Sequence, residues 1–311
     1  MSIKNKKNEY MIDIINYSID RCPQILVESS EEIYHAQLVH AALSGGEKRI
    51  FLVAGPSSSG KTTTAFKLKE ELNRMKRNAV VISMDDFYKE KHEHPIIDGK
   101  PNVEVIEALQ IDKLTEVMSS ILKNGKAWLP KYNFTEAKRY DNHSEIDIGG
   151  NGVLIIEGLH GLNPQVHSGI DGELLHKVYV SPHSNFAMPG RTVLTKRDVR
   201  FIRRLVRDFW SRGSSVENTF NMWEEVCRCE DKFIRPLAVN ADSTIDTTYA
   251  YEPAIIKKQA MTLLEQVEKD SPYYEKANEL LEDLYHIKSL PLDYLPEKSL
   301  LREFICVTGE I

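Results

Sequence analysis

Little in this chain marks it for an oxidising compartment or a membrane. It has four cysteines, Cys22, Cys227, Cys229 and Cys306. Cys227 and Cys229 are spaced as a pair, but no second pair stands near them, so neither a zinc cage nor a disulfide framework is expected. A reducing cytoplasm suits that usage. No apolar run approaches the roughly 18 residues of a membrane span. The opening Met-Ser-Ile-Lys-Asn-Lys-Lys lacks the apolar core of a secretory leader. Neither sign of charge dominates: 40 Lys and Arg stand against 46 Asp and Glu, a net charge of −6. That balance argues against a protein that coats nucleic acid or a membrane surface. No internal repeat or low-complexity tract is visible. Any field that draws a ligand must therefore be local, and a homo-oligomer is possible.

The 311 residues, 41% hydrophobic and 28% charged, suit a globular chain of one large or two modest domains. Residues 1–48 have apolar positions at Ile12, Ile15, Ile19, Ile33, Leu38 and Ala41 and are predicted to be a helical lead-in packed on the core. Short apolar runs at 50–54, 79–84, 153–156 and 178–180 are predicted strands of the kind buried in parallel sheets. Short strands are also expected at 128–134 and 146–148, an edge strand at 243–246, and a polar loop at 89–101. Helices are expected at 103–122 (as two consecutive pieces), 196–210, 216–227, 253–268 and 273–287, with a last short one near 300–304. The alternation predicts an α/β protein with an open parallel sheet and flanking helices, its ligand at the carboxyl ends of the strands. Its main domain is expected at 49–268 and a C-terminal helical extension at 269–311.

The informative segment follows the first strand. Gly55-Pro56-Ser57-Ser58-Ser59-Gly60-Lys61-Thr62-Thr63 is a complete phosphate-binding loop between an apolar run and a helix-forming stretch, the context such a motif requires. Its glycines let backbone N–H groups converge, and the next helix adds its positive dipole end. Lys61 would place a point charge on the outer phosphates and Thr62 its hydroxyl on Mg²⁺, so a phosphate-bearing ligand with Mg²⁺ is expected on a sheet of the P-loop NTPase type. Asp85 and Asp86 follow the second strand and Glu157 the third, on the same sheet edge, where oxygen ligands suit Mg²⁺. The segment Leu43-Ser44-Gly45-Gly46-Glu47-Lys48 resembles the signature of ATP-binding-cassette ATPases but precedes the P-loop, so it is expected to be a loop. No Asn-Lys-x-Asp guanine-reading motif occurs.

A second cluster is basic. Arg200, Arg203, Arg204 and Arg207 are spaced i, i+3, i+4, i+7 and share one helix face. Like charges there repel, and either a bound anion or acidic partners such as Asp198 and Asp208 would relieve the repulsion. A helical arginine-rich lid spanning about 191–236 is expected to close over transferring phosphate, where such arginines supply about 10³–10⁵ in rate.

Together with Ser83-Met84-Asp85-Asp86-Phe87-Tyr88, Glu157-Gly158-Leu159-His160-Gly161-Leu162-Asn163-Pro164 and the arginine run through Arg212-Gly213, the P-loop resembles the uridine kinases of the phosphoribulokinase/uridine kinase group. The ending Ser299-Leu300-Leu301-Arg302-Glu303-Phe304-Ile305 is similar to a bacterial subgroup of uridine kinase-like nucleoside kinases, whose extra N-terminal domain this chain is expected to lack. The resemblance covers residues 45–305. It implies an ATP- and Mg²⁺-dependent kinase acting on the 5′-hydroxyl of a nucleoside, uridine or cytidine first. It implies catalytic roles for Lys61, Arg203, Arg204 and Arg207, with Asp85 taking the hydroxyl proton. It also implies metal binding by Thr62, Asp85 and Glu157, and acceptor binding by Tyr88, Glu104, Tyr132 and Arg200. The pattern departs at the base-reading positions. Val103 replaces a stacking phenylalanine, Ala137 falls where a base-contacting histidine is usual, and Cys229 replaces a glycine. Another alcohol acceptor, or a nucleotide-binding regulator that transfers nothing, remains the alternative.

Overall fold

The structure, a computed structural model, describes residues 3, 4, 8–97 and 99–307; the parts of the expected lead-in, polar loop and C-terminal extension at other positions lie outside the described residues. A short strand β1 (Glu9–Met11) and helices α1 (Ile12–Arg21) and α2 (Pro23–Ser44) precede the P-loop unit. That unit runs β2 (Ile50–Ala54), α3 (Lys61–Arg74) and β3 (Ala79–Ser83). A ladder of β4 (Ile96–Ile97) and β5 (Lys100–Pro101), helix α4 (Ile111–Asn124) and a hairpin of β6 (Lys126–Asn133) and β7 (Lys138–Asp147) follow. Then come β8 (Val153–Gly158), β9 (Leu175–Ser181), β10 (Asn185–Met188), β11 (Arg191–Leu194), α5 (Lys196–Arg212) and α6 (Val216–Cys229). The chain continues through β12 (Ser243–Asp246), α7 (Glu252–Leu264) and α8 (Tyr274–Tyr285).

The central sheet has five strands in the order β12-β9-β2-β8-β3, every pair parallel. Central strands of a parallel sheet are covered on both faces, so β2 and β8 are buried throughout and read as unbroken apolar runs. Alternation still sorts their side chains. Phe51, Val53, Val153 and Ile155 face the core under α2 and α3, while Ile50, Leu52, Leu154 and Ile156 face α4. Register does the rest: Glu157 lies opposite Val53 on one side and Ser83 on the other. The P-loop, the Glu157 strand end and the Asp85 segment therefore leave the sheet at the same level.

The N-terminal helices belong to the same hydrophobic core as α3, α5, α7 and α8. Tyr34 of α2 shares a buried hydrogen bond of 2.8 Å with Thr64 of α3, so α2 braces the helix that carries the P-loop lysine. Helix α5 is likewise a core element. It starts on a Thr195–Asp198 capping box, ends at Gly213 with φ of 63°, and buries Val199, Phe201, Ile202, Leu205 and Val206.

Several expectations are corrected here. Residues 9–11 are strand within the expected helical lead-in, pairing with β10, and β10 and β11 form a small sheet with them. The second strand of the expected pair at 128–134 and 146–148 begins at Lys138 and is almost wholly exposed and polar, which hid it from a hydrophobic pattern. The polar loop holds the β4–β5 ladder. The helical stretch expected from 103 does come in two pieces, but it starts later: a short turn at Ile106–Ala108 and then α4. Cys229 sits at φ −63°, ordinary helix, so no glycine-only geometry is needed there. All four cysteines are free, and among the described residues no helix is long and apolar enough to cross a membrane.

Candidate active site

The P-loop needs glycine for two different reasons. A Cβ on Gly55 would stand 1.9 Å from the Val180 carbonyl oxygen of β9, a backbone atom that cannot yield. Gly60 has φ of +86°, where other residues are strained, and opens helix α3. The first helical bond runs from the Thr64 N–H to the Gly60 carbonyl, at 2.9 Å, so the N–H groups of Lys61, Thr62 and Thr63 have no acceptor within the helix. Ser58 and Ser59 are buried, and their hydroxyls have no hydrogen-bond partner. Free N–H groups, orphaned hydroxyls and a helix N-terminus fit an anion. Lys61 Nζ meanwhile donates to the Pro56 carbonyl at 3.0 Å.

This loop forms one end of a cavity of about 670 Å³. Ser57, Ser58, Gly60, Lys61, Thr62 and Thr63 line it, with Asp85 and Glu157 at the strand ends. Gly55, Pro56 and Ser59 shape the loop from behind. The Ser83 hydroxyl donates to Glu157 Oε1 at 2.7 Å. The two adjacent aspartates part company. Asp86 is tied to the hairpin through Lys131 at 2.9 Å and accepts from the Tyr132 N–H at 3.4 Å, whereas Asp85 opens into the cavity.

Enclosure sets the electrostatics. Burial raises Asp85 above the usual carboxylate range, with Lys61 opposing it. Burial also raises Glu157, against Lys61 and the Ser83 hydroxyl, and Glu104, against Arg204 and Lys61. Lys61 is pulled below the ordinary lysine range by the same burial, with Glu157, Asp85 and Glu303 holding its charge.

At the far end stand Tyr88, Tyr132, Phe134, Val103, His94 and Glu104. Tyr132 and Phe134 meet edge to face with ring centroids 4.9 Å apart, and Tyr88 stands 5.8 Å from Tyr132. Phe134 is 64% exposed for a phenylalanine beside a cavity. Ala137 is absent from the lining and sits in the hairpin turn with φ of 49°. The position where the resemblance implies a base contact thus does not line the cavity.

The arginines divide. Arg204, Arg207 and Arg212 line the cavity, and Arg204 donates to the Ser57 hydroxyl at 3.0 Å. Arg203 does not line it. It is fully buried and locked to Glu252, with Nη2 to Oε2 at 2.7 Å. Arg200 is turned to a second cavity of about 840 Å³ and is held by Glu230 at 2.7 Å and the Ser57 carbonyl at 2.8 Å. Acids offset part of the basic face, Asp208 among them as expected: it pairs with Arg204, Arg207 and Arg212. Phe134, His94, Arg212, Met222 and Glu303, with Gly158 and Leu159, complete the lining; none of them is among the expected site residues. For Arg212 the basic run held the signal. For Glu303, 240 residues from Thr63, nothing local did.

Residues 50–251 match the model of the Phosphoribulokinase / Uridine kinase family. A uridine kinase of Staphylococcus aureus (strain JH9) is 31% identical over 197 residues, 62% of this chain and 84% of that one. Among solved structures, a possible uridine kinase from Bacillus stearothermophilus is similar at 19% identity with a TM-score of 0.41, over 65% of this chain and 90% of that one. D-glycerate 3-kinase from Cryptococcus neoformans var. grubii is similar at 14% identity with a TM-score of 0.43, over 68% and 89%. With the P-loop on a parallel sheet and the family match across most of the chain, this protein belongs to the phosphoribulokinase/uridine kinase family of P-loop kinases.

Proposed function

We propose that this cavity transfers the γ-phosphoryl group of ATP to the 5′-hydroxyl of a pyrimidine nucleoside, uridine or cytidine. The observation that carries the proposal is that one cavity joins a P-loop end, an aromatic end and, between them, the Asp85 carboxylate. The P-loop N–H groups and Lys61 hold the donor phosphates. The aromatic wall of Tyr88, Tyr132 and Phe134 takes the acceptor base, and Glu104 accepts from its sugar hydroxyls. Asp85 receives the proton of the attacking hydroxyl. Arg204, Arg207 and Arg212 stabilise charge on the phosphoryl oxygens as the bond to the leaving phosphate breaks, which is where most of the catalytic effect resides in such reactions.

A divalent cation fits the same place. The Thr62 hydroxyl stands close enough to Glu157 to favour its charged form, and Asp85 and Glu157 are enclosed carboxylates whose charged forms a cation would favour. Among the described residues no three His, Cys, Asp or Glu side chains form a cage, so such a site would be completed by water and phosphate, as Mg²⁺ prefers. When bound, Mg²⁺ would neutralise charge on the outer phosphates; Thr62, Asp85 and Glu157 would hold it.

The test is acceptor-dependent ADP release from Mg-ATP with uridine, cytidine, adenosine, guanosine and ribose in parallel. Uridine or cytidine should give the strong signals, and Lys61→Ala should lower them by about 10²–10³. Release with none of the two pyrimidine nucleosides but with another alcohol would move the acceptor assignment. The exposure of Val103, at 40%, and the absence of Ala137 from the cavity lining favour that second reading. Phe134 decides between them. If it stacks on a base, Phe134→Ala should raise the acceptor KM about 10-fold or more, since a stacking contact contributes about 1–3 kcal/mol, with the ATP KM unchanged. An unchanged acceptor KM would remove Phe134 as the base platform.

A further inference from the structure

The donor end of the cavity is closed by a segment from outside the matched family region. The turn Leu300–Glu303 lies against the P-loop: Leu300 stands where a Cβ on Gly60 would meet it, at 2.7 Å. The Thr63 hydroxyl donates to Glu303 Oε2 at 2.6 Å, and Glu303 lines the cavity. The turn is firmly built. Leu300, Leu301 and Phe304 are buried to within 1%. The Ser299 hydroxyl caps the turn and bonds Tyr251 at 3.0 Å. Gln259 holds the Cys306 backbone from both sides, and Phe304 packs under the Arg203 guanidinium at 4.9 Å. Swinging this segment out would expose all of that, so it is a fixed wall and not a flap.

We infer that Glu303 is a donor-binding residue that reads the sugar hydroxyls of the nucleotide, a role that rests on the nucleotide-binding part of the proposed function. Thr63 carries the last of the three N–H groups left free at the start of α3, so it marks the edge of the anion cradle. Whatever is attached to the inner phosphate leaves the loop there. An ionised carboxylate only accepts hydrogen bonds. It cannot hold phosphate oxygens, which also only accept, and its charge keeps them on the loop side of Thr63. One Glu303 oxygen is taken by Thr63, and the other remains to accept from a hydroxyl. The groups next to the phosphates that carry such protons are the 2′- and 3′-hydroxyls of the donor sugar.

Equilibrium titration of the full chain with Mg-ATP, Mg-2′-deoxy-ATP and Mg-3′-deoxy-ATP, without acceptor, tests this. Wild-type protein should bind ATP about 10-fold more tightly than at least one deoxy analogue, as expected for a hydrogen bond to a charged group. Glu303→Ala should erase that preference by weakening ATP alone, and Glu303→Gln, which keeps an acceptor oxygen, should retain part of it. Unfolding midpoints of both variants near that of wild type exclude a general loss of fold, and an unchanged acceptor KM excludes damage elsewhere in the cavity. Equal binding of all three nucleotides by wild type, or a preference that survives in Glu303→Ala, would overturn the inference. Tighter ATP binding by Glu303→Ala would also overturn it, by showing that Glu303 competes with the nucleotide. The proposed transfer fails separately: nucleotide binding that discriminates sugars with no ADP release for any acceptor leaves Glu303 in place. Wild-type protein that binds no nucleotide overturns both.

Discussion

Asp85→Asn should lower acceptor-dependent ADP release by about 10²–10⁴, the usual contribution of a general base, and leave Mg-ATP binding within a few fold. The neighbouring aspartate provides the internal contrast, since Asp86 is spent on Lys131 and the Tyr132 N–H and only Asp85 reaches the cavity. The pH profile adds a second readout. Burial raises the Asp85 pKa, and only the ionised form accepts a proton. The rate should therefore fall on the acid side as Asp85 is protonated, and Asp85→Asn should abolish that limb. The same shift fixes the sign of the stability effect. A carboxyl whose folded pKa is raised favours folding while protonated, and that contribution is lost as pH rises through its folded pKa. At neutral pH, without nucleotide, Asp85 thus opposes folding, and Asp85→Asn should raise the unfolding midpoint. Near-normal turnover in the variant would remove Asp85 as the base; a lower midpoint would show that Lys61 outweighs the burial.

The parts of the fold and site that could be read in the sequence are those whose signal is local. Strand β2, the P-loop and α3 are one continuous segment in which an apolar run, glycine spacing and helix formers agree. The edge strand β12 was expected at its observed limits, Ser243–Asp246. Strand β7 was not visible at its full length because both its faces meet solvent and its residues are polar. Strands β10 and β11 are four residues each, too short to hold a period. In the site, the spacing of the arginines correctly predicts a helix. It cannot tell which arginine points where, because that depends on acids at Glu230 and Glu252, contributed by other elements. Position in sequence likewise gives no hint that Glu303 meets Thr63.

Arg203 and Arg207 lie one helical turn apart, and their alanine variants should fail in opposite ways. Arg203 is fully buried. Besides Glu252, its Nη2 donates to the Thr247 carbonyl at 2.6 Å and its Nη1 to the Ser58 carbonyl at 3.4 Å. It joins α5, the exit of β12, the start of α7 and the P-loop. Removing one partner of a buried ion pair leaves the other charged and unpaired, at a cost of about 3–5 kcal/mol. Arg203→Ala should therefore lower the unfolding midpoint by roughly 6–10 °C, taking about 2 °C per kcal/mol for a chain of this size. Replacing both partners, Arg203→Met with Glu252→Leu, should recover much of that loss, because an apolar pair avoids the desolvation cost. Arg207 is half-buried and lines the cavity, and among the described residues its side chain bonds only the already shared Asp208, at 2.8 Å. Arg207→Ala should leave the midpoint nearly unchanged and lower kcat by as much as about 10³–10⁵, the range for an arginine that stabilises a transferring phosphoryl group. The pair of measurements, unfolding midpoint and kcat, separates the roles. An Arg203→Ala protein as stable as wild type but catalytically dead would place Arg203 in the chemistry, and an Arg207→Ala protein with normal kcat would leave Arg204 and Arg212 as the arginines that meet the phosphate.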